Sequence, residues 1–598
     1  MRQVLGEGVA PDLVTFLVDR AEGNAFYLEE LIRAVAEGDR TTPPETVLAM
    51  VQARIERIDI EGRRVLRAAS IFGETFWRGG VEALLRGTDV ASTLAALAEQ
   101  EVISLTGETR FPEEVEYRFR HALVREAAYG MLVESDHVLG HRLAGEWLEQ
   151  AGETDAMVMA EHFERGDAAE RAIPWFLRAA EQTLEGGDLD SVLTRAKRGL
   201  ACGATRGARG AFLVMQGHVH AWQARYADAA QCYRDAMPDL ARGSPYWYLA
   251  IGPFLHASAF IGDLDRVREL IAELARDPSE DAVSVSLARG LAFAVPILGL
   301  SGNYPLARAI VDRLGAIEGQ IIAERSIVKT WIELARCHYA CFVEGDPWSL
   351  RTHVLAALAH CGDTSDLYAL YMIQAYDGLA LIKLGRFAEG DRRVRDACEL
   401  AQRRGYHVVA RLALARLAEE LIHRGALAEA EAVHVEAQAE ARKSALRAAT
   451  WQLVAAKIAR QRGDFDAAAE YARESLRGWN DIASGHCADA FATLASAEIQ
   501  RGNVVTARLA VTEAERRLDA LGSWLHETPI RLACAEVLHA AGDLAEARAR
   551  IEAARARIEA RAALIDDPAF RASYLAEVPE NARTLALARA WLGEEGKG

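Results

Sequence analysis

The chain has 598 residues, 51% of them apolar, and a formal net charge of −18 at pH 7. That length exceeds what one core can cover, so several domains or a repeat array are expected. The acidic balance argues against nucleic acid as a partner, because phosphate binding needs a basic face. No apolar run is long enough to span a bilayer and no signal peptide is present, which gives no membrane partner and a cytoplasmic reading.

In chain order, an apolar helix comes first and Pro43-Pro44 ends it. Glu45 opens a helix to about Ile58, and further helices are expected over Arg63–Ile71, Gly80–Leu85 and Ala91–Gln100. Val102–Leu105 and Val115–Phe119 read as two strands around a turn, and His121 starts a new helix. Three helices closed by a two-stranded wing read as a winged-helix domain, placed at 46–135. Its recognition helix would be Ala91–Gln100, which carries no Lys or Arg and runs into Glu101. A major-groove reader wants Arg, Lys, Asn or Gln at base edges, so a packing module is the better reading. His137, His141 and His162 fall at helical spacing among apolar residues and read as structural. Residues 136–215 read as linking helices and the first degenerate repeats.

From there a phrase recurs: glycine, a polar residue, a bulky residue, two variable positions, then a small residue. Its glycines are Gly262, Gly302, Gly345, Gly385, Gly425, Gly463, Gly502 and Gly542, separated by 40, 43, 40, 40, 38, 39 and 40 positions. A degenerate copy, Ala224-Arg225-Tyr226 with Ala229, precedes them. Each position has a physical task. The glycine ends a helix in a left-handed conformation, the polar residue caps the next helix, and the bulky residue plugs the gap between the pair. The small residue lets the two backbones approach. Another small residue follows twelve positions after the turn, as at Ala236, Ala357, Ala397, Ala437, Ala514 and Ala554, two turns along the same face. No proline occurs between Trp348 and Thr528, which fits helix after helix. The repeats are placed at 216–560, with a C-terminal capping helix and tail at 561–598.

Within the array, Tyr246-Trp247-Tyr248 is the densest aromatic cluster and the candidate partner contact, set against a role in plugging adjacent repeats. Cys337 and Cys341 share a helix face, yet no second pair lies near them. They read as small buried thiols, and no metal or other cofactor is expected. Arg392, Arg393 and Arg395 are flanked by Asp391 and Asp396 and read as a solvated face.

The repeat pattern resembles the second half of the tetratricopeptide motif, with helices slightly lengthened, as in the sensor arms of bacterial regulatory ATPases. Two further phrases resemble the signal-transduction ATPases with numerous domains. Ala21-Glu22-Gly23-Asn24-Ala25-Phe26-Tyr27-Leu28-Glu29-Glu30-Leu31 looks like the lid that closes their ATPase domain, so residues 1–45 read as a remnant of the lid helices. Phe119-Arg120-His121-Ala122-Leu123-Val124-Arg125-Glu126-Ala127-Ala128-Tyr129 is similar to the motif of their winged helix whose histidine contacts bound ADP. The resemblance makes His121 the nucleotide-sensing candidate, although Ala122 replaces the usual acidic residue. Leu139–Leu148, Ala160-Glu161-His162-Phe163 and Val578–Thr584 extend the likeness to the C-terminal half of relatives joined to serine/threonine kinases or nucleotide cyclases.

No phosphate loop of the form Gly-x4-Gly-Lys-Ser/Thr and no kinase signature occurs, so no catalytic residue is assigned and the chain is not read as an enzyme. The resemblance then implies a truncated relative, or a gene that begins downstream of a separate or eroded NTPase. The expectation is an all-α, tetratricopeptide-like superhelix preceded by a small winged-helix domain. It would bind a protein or peptide partner, a signalling ATPase or kinase among them, in its groove. The alternatives are the regulatory tail of a split signalling ATPase, and a transcriptional regulator.

Overall fold

Asp59 starts the first helix that is described in full: its carboxylate accepts the Gly62 N–H at 2.7 Å, satisfying one of the free donors of the first turn. The computed structural model describes residues 55–276, 285–318, 326–361, 366–441, 445–479 and 484–593, with a few positions before residue 55. Apart from Leu28 and Leu31, the lid-like phrase lies outside the described residues, as does most of the helix expected from Glu45. The chain forms two compact units, Met1–Ala179 with Ala201–Gly203, and Ala180–Leu200 with Ala204–Gly598.

The first unit runs α1 (Ile60–Phe72), β1 (Thr75–Trp77), α2 (Arg78–Leu84), α3 (Ala91–Glu99), β2 (Ile103–Leu105), β3 (Glu116–Phe119) and α4 (Ala122–Gly130). The three strands form an antiparallel sheet in the order β1-β3-β2, with Phe76 opposite Tyr117 and Ile103 opposite Phe119. Strand β1 was not expected, since three residues cannot show an alternating pattern. Pairing with β3 makes it a strand and buries Phe76 beside Leu66, Leu94 and Phe119. On α3, Ser92, Ala95, Ala96 and Glu99 face outward and are exposed. Helices α5 (Glu134–Ala151) and α6 (Ala156–Arg165) follow. Trp147 of α5 stacks on Trp77 at 5.7 Å between ring centroids and meets Phe72 edge-on.

Helix α7 (Ala169–Gly186) carries the division between the units. The second unit continues as α8 (Leu189–Ala201), α9 (Arg206–Trp222), α10 (Tyr226–Ala236), α11 (Pro245–Ile261), α12 (Leu264–Ala275), α13 (Val285–Leu300) and α14 (Tyr304–Glu318). Then come α15 (Ser326–Tyr339), α16 (Pro347–Cys361), α17 (Leu367–Lys383), α18 (Phe387–Arg403), α19 (His407–His423), α20 (Leu427–Ala441) and α21 (Ala445–Arg462). The last elements are α22 (Phe465–Trp479), α23 (Ser484–Gln500), α24 (Val504–Leu521), α25 (Glu527–Ala540), α26 (Leu544–Ala563), α27 (Pro568–Ala576) and α28 (Pro579–Leu592). From α9 to α23 each odd helix packs on the even helix after it and on the next odd helix. The unit is a tetratricopeptide-like helical-repeat superhelix with the odd helices inside.

The turns explain the period. At Gly262 (φ +79°) the Gly262 N–H donates to Ala259 O and the Asp263 N–H to Ser258 O, the double bond that closes a helix through a left-handed residue. The same second bond recurs at Asn303, Arg386, Ala426, Asp464, Asn503 and Asp543. Gly345 differs: it follows a π-helical turn, Ala340–Glu344, and Asp346 N–H reaches back to Ala340 O. The widest interval in the glycine series, 43 residues, ends there.

Three expectations need correction. The polar residue after the glycine caps its helix at Asp263, Asp346 and Asp464, but not at Asn503 or Asp543. Asp543 spends its carboxylate on Arg508 of the preceding repeat, at 2.7 and 2.8 Å, and Asn503 donates to Glu498 at 2.6 Å. The bulky residue is only half-buried at Leu264, Tyr304, Phe387 and Phe465, and Leu544 is exposed. The small residues take the buried positions instead, at Ala307, Ala430, Ala468, Ala507 and Ala547. Finally, two helices rather than one follow α26, because Pro568 and Pro579 each sit in a first helical turn.

The tightest helix contact lies at glycines outside the repeating phrase. A Cβ on Gly252 would stand 1.9 Å from Gly290 O, and one on Gly290 would stand 1.9 Å from Tyr248 O, so α11 and α13 meet backbone to backbone. Inner helices also meet across the array: α9 packs on α19 and α11 on α21. The last repeats fold back similarly, with Ser573 Oγ donating to Leu384 O at 2.5 Å and Tyr304 Oη to Ser523 O at 3.3 Å.

Candidate binding cavity among the inner helices

The inner helices bring together aromatic residues that are far apart in sequence. Tyr368 stacks on Trp222 at 5.8 Å and on Trp331 at 6.0 Å, and Phe293 lies 5.0 Å from the same ring. Tyr406 closes on Trp222 at 5.1 Å. Such large rings let helices from non-adjacent repeats touch, and they divide the inner face into partly open cavities. One is a largely apolar cavity of about 120 Å³ along Tyr226, Phe260, Phe293, Tyr376 and Trp479. The other is a cavity of about 580 Å³ bounded by Glu181, Glu185, Trp222, Tyr246, Arg289 and Tyr406.

The larger cavity has a cationic wall. The Arg289 guanidinium lies 5.1 Å from the Trp222 ring and 5.3 Å from the Trp331 ring. Its acidic neighbour, Asp366, is 4.0 Å away, beyond hydrogen-bonding reach. Asp366 is occupied elsewhere: one oxygen accepts the Ala369 N–H and caps α17, and the other accepts Trp331 Nε1–H, both at 3.1 Å. Arg289 Nε and Nη2 therefore have no hydrogen-bond partner among the described residues. His218 is held neutral, its pKa lowered to about 3 by burial and then by the Arg289 charge. At the exposed edge, Tyr246 Oη donates to Glu181, and burial together with the Glu181 charge raises the Glu185 carboxyl above its ordinary value.

A second polar centre lies deeper in the same unit. Lys383 Nζ is 2.7 Å from Glu420 and 4.0 Å from Glu580, Lys457 Nζ is 2.5 Å from Asp489, and Arg416 is 3.1 Å from Glu419. His423 and His526 are pushed well below the usual imidazole range by burial and by the neighbouring lysines. Glu420, His423 and Glu580 have the spacing of metal ligands, the one such group among the described residues. The Lys383 ammonium already sits against both carboxylates, which supplies the counter-charge an ion would bring. The centre reads as a balanced ion network.

Among the residues singled out from sequence, Trp247 and Tyr248 are 2% and 3% exposed and pack within the array, while Tyr246 borders the larger cavity. Gly302, Gly385, Gly425, Gly463, Gly502 and Gly542 all have φ between +73° and +86° and line no cavity. Cys337 and Cys341 are free and buried, and burial raises both thiols, Cys341 to about 11. Arg393 pairs with Asp377 of α17 at 2.5 Å, Arg395 with Glu429 of α20 at 3.1 Å, and Asp391 with Arg424 after α19 at 2.9 Å, so these three residues are engaged in ion pairs between helices. His121 belongs to the first unit, half-buried at the N-cap of α4, where its side chain makes no capping bond. His141 and His162 pack together there, Nδ1 to Nδ1 3.1 Å, with Tyr129 Oη 2.8 Å from His141 Nε2. Sequence reasoning missed Arg289, Trp222 and Trp331. Their only local signal is an arginine in the otherwise apolar run of α13.

No family model matches the chain. An uncharacterized protein of Rhizobium meliloti (strain 1021) is 25% identical over 191 residues, 29% of this chain and 18% of that protein. The chain thus matches less than a fifth of that relative's length. Among solved structures, a Rap protein complexed with competence and sporulation factor aligns at 13% identity and TM-score 0.40, covering 59% of this chain and 99% of the other. A signal-transduction ATPase with numerous domains and a tetratricopeptide repeat sensor, from Pyrococcus horikoshii, covers 98% of this chain and 71% of its own at 13% identity and TM-score 0.28. Yeast Tom70 covers 77% of this chain and 97% of its own at 11% identity and TM-score 0.30. Likeness at this level assigns no activity. No helix among the described residues is long and apolar enough to cross a membrane.

Proposed function

We propose that the chain is a non-catalytic interaction and regulatory module that holds a protein or peptide partner against the inner helices of its repeats. The observation that carries this reading is the cavity of about 580 Å³ walled by Trp222, Tyr246 and Tyr406. Aromatic walls with a few polar groups are what recognition sites share. The first unit serves in this reading as a winged helix used for packing. Its element order and three-stranded sheet support that, and the outward residues of α3 offer no cation for a phosphate.

The test is selection of peptides from a displayed library against the full chain, followed by calorimetry with Tyr406→Ala and Tyr246→Ala variants. Peptides that bind the parent and lose affinity in both variants support the reading. Selected peptides that bind all three proteins equally overturn it. A second reading, the regulatory tail of a split signalling ATPase, draws on His121 at the head of α4 within its motif-like phrase. ADP calorimetry tests it: binding that disappears in His121→Ala favours it, and no heat of binding counts against it.

A further inference from the structure

Two carboxylates stand at the exposed edge of the larger cavity without a counter-charge. Glu181 and Glu185 are one turn apart on α7, both exposed and both bordering the cavity. Glu181 accepts the Tyr246 hydroxyl, and neither glutamate is paired with a Lys or Arg among the described residues. Like charges at that spacing repel each other, and burial together with the Glu181 charge raises the Glu185 carboxyl above its ordinary value. A cation arriving from outside relieves both.

The inner wall does not supply that cation. Three carboxylates, Glu181, Glu185 and Asp366, line the cavity against one guanidinium, and His218 is neutral. Arg289 and Asp366 stand 4.0 Å apart, both largely buried, and balance each other, so the two glutamates at the edge remain unbalanced. The rest of the lining is apolar and aromatic, with Leu184, Leu249, Trp222, Tyr246 and Tyr406 among it.

That combination selects a side chain with a long apolar stem and a positive head, which Lys and Arg have. An acidic side chain is repelled at the edge, and an apolar one leaves both carboxylates uncompensated. The cavity of about 580 Å³ has room for such a side chain with its neighbours, within the roughly 300–1,000 Å³ typical of ligand sites. The net charge of −18 adds a long-range attraction for a basic segment.

We propose that the partner is a basic peptide segment, one Lys or Arg side chain of which enters this cavity with its charged head against Glu181 and Glu185 and its stem along Leu184, Tyr246 and Leu249. The inference rests on the reading of the inner helices as a binding face and names the chemistry of the partner. The plain alternative is a pair of solvated glutamates with no ligand.

The experiment selects random-sequence displayed peptides on the full chain and measures their synthetic forms by calorimetry, with an alanine-based peptide carrying one central Lys as a defined probe. Selected peptides should be enriched in Lys or Arg. Replacing that residue by norleucine, which keeps the stem and drops the charge, should weaken binding about fivefold or more. Glu185→Gln should weaken the Lys peptides by a similar factor and leave the norleucine peptides unchanged, with a melting curve taken to show that the variant folds. Salt at about 1 M should erase most of the difference between Lys and norleucine. Selected peptides that need Tyr406 but carry no excess of Lys or Arg, or that ignore Glu185→Gln, would overturn this inference and spare the broader reading. Butylammonium competing as well as the peptides would also overturn it, because a free amine would then suffice. The absence of any Tyr406-dependent peptide would end both.

Discussion

Lys457 Nζ lies 2.5 Å from Asp489 Oδ2 between the inner helices α21 and α23, and both residues are buried. Glu419 stands 4.0 Å from the same ammonium, and burial raises the Asp489 carboxyl above its ordinary value despite the lysine beside it. The pair is held by mutual need: each charge is tolerable in the interior only while the other is present.

Removing one partner should therefore cost more than removing both. Lys457→Met is expected to lower stability by about 3–5 kcal/mol, and Lys457→Met with Asp489→Leu by distinctly less. Urea unfolding followed by circular dichroism measures both. Additive losses in the double variant would show that the two charges act independently.

The histidine pair of the first unit makes that unit acid-sensitive. Burial, followed by the charges of neighbouring His162 and Arg165, lowers His141 to about 3; burial and then Arg165 lower His162 to about 4. Unfolded, both return to about 6.5. Between those values the unfolded chain binds protons that the folded chain refuses, so stability is complete above pH 6.5 and is lost as pH falls toward 4. The slope approaches about 1.4 kcal/mol per pH unit for each histidine. His141→Asn with His162→Gln should flatten the acid dependence of first-unit unfolding, read from the emission of the stacked Trp77 and Trp147 at several pH values. An unchanged slope would assign the acid sensitivity to other groups.

Two kinds of glycine should respond differently to alanine. Gly290→Ala places a methyl against Tyr248 O where α11 and α13 touch, and a loss of about 1–3 kcal/mol or more is expected from overpacking. At Gly463 a Cβ meets nothing within 4 Å, so Gly463→Ala carries only the left-handed backbone cost of about 1–2 kcal/mol. Thermal melts of the two variants decide whether close approach or turn geometry matters more to the array.

The capping residues should split in the same manner. Asp464→Ala removes an acceptor from the Ala467 N–H and should cost about 1 kcal/mol. Asp543→Ala removes only a part-exposed pair with Arg508, for which about 0–1 kcal/mol is expected. Raising salt to 1 M should shrink the Asp543 effect and leave that of Asp464 nearly intact. Equal salt responses would refute the assignment of different roles.

By itself the sequence determined what depends on local geometry. The left-handed glycine turns recur at a fixed spacing because each helix pair must stop and restart in the same way, so the period near 40, the paired helices and the buried alanines were legible. The helices and two of the three strands of the first unit were legible for the same reason. The third strand, β1, was not, since only its pairing with β3 makes it one. The candidate site was hardly legible at all. The densest aromatic run, Tyr246-Trp247-Tyr248, contributes one residue to the cavity, while Trp222 and Tyr406 reach it from different repeats and meet each other ring to ring. Local patterns report which face of a helix is apolar. They do not report which distant helix will meet that face, and that meeting decides whether an arginine such as Arg289 ends in solvent or between two tryptophans.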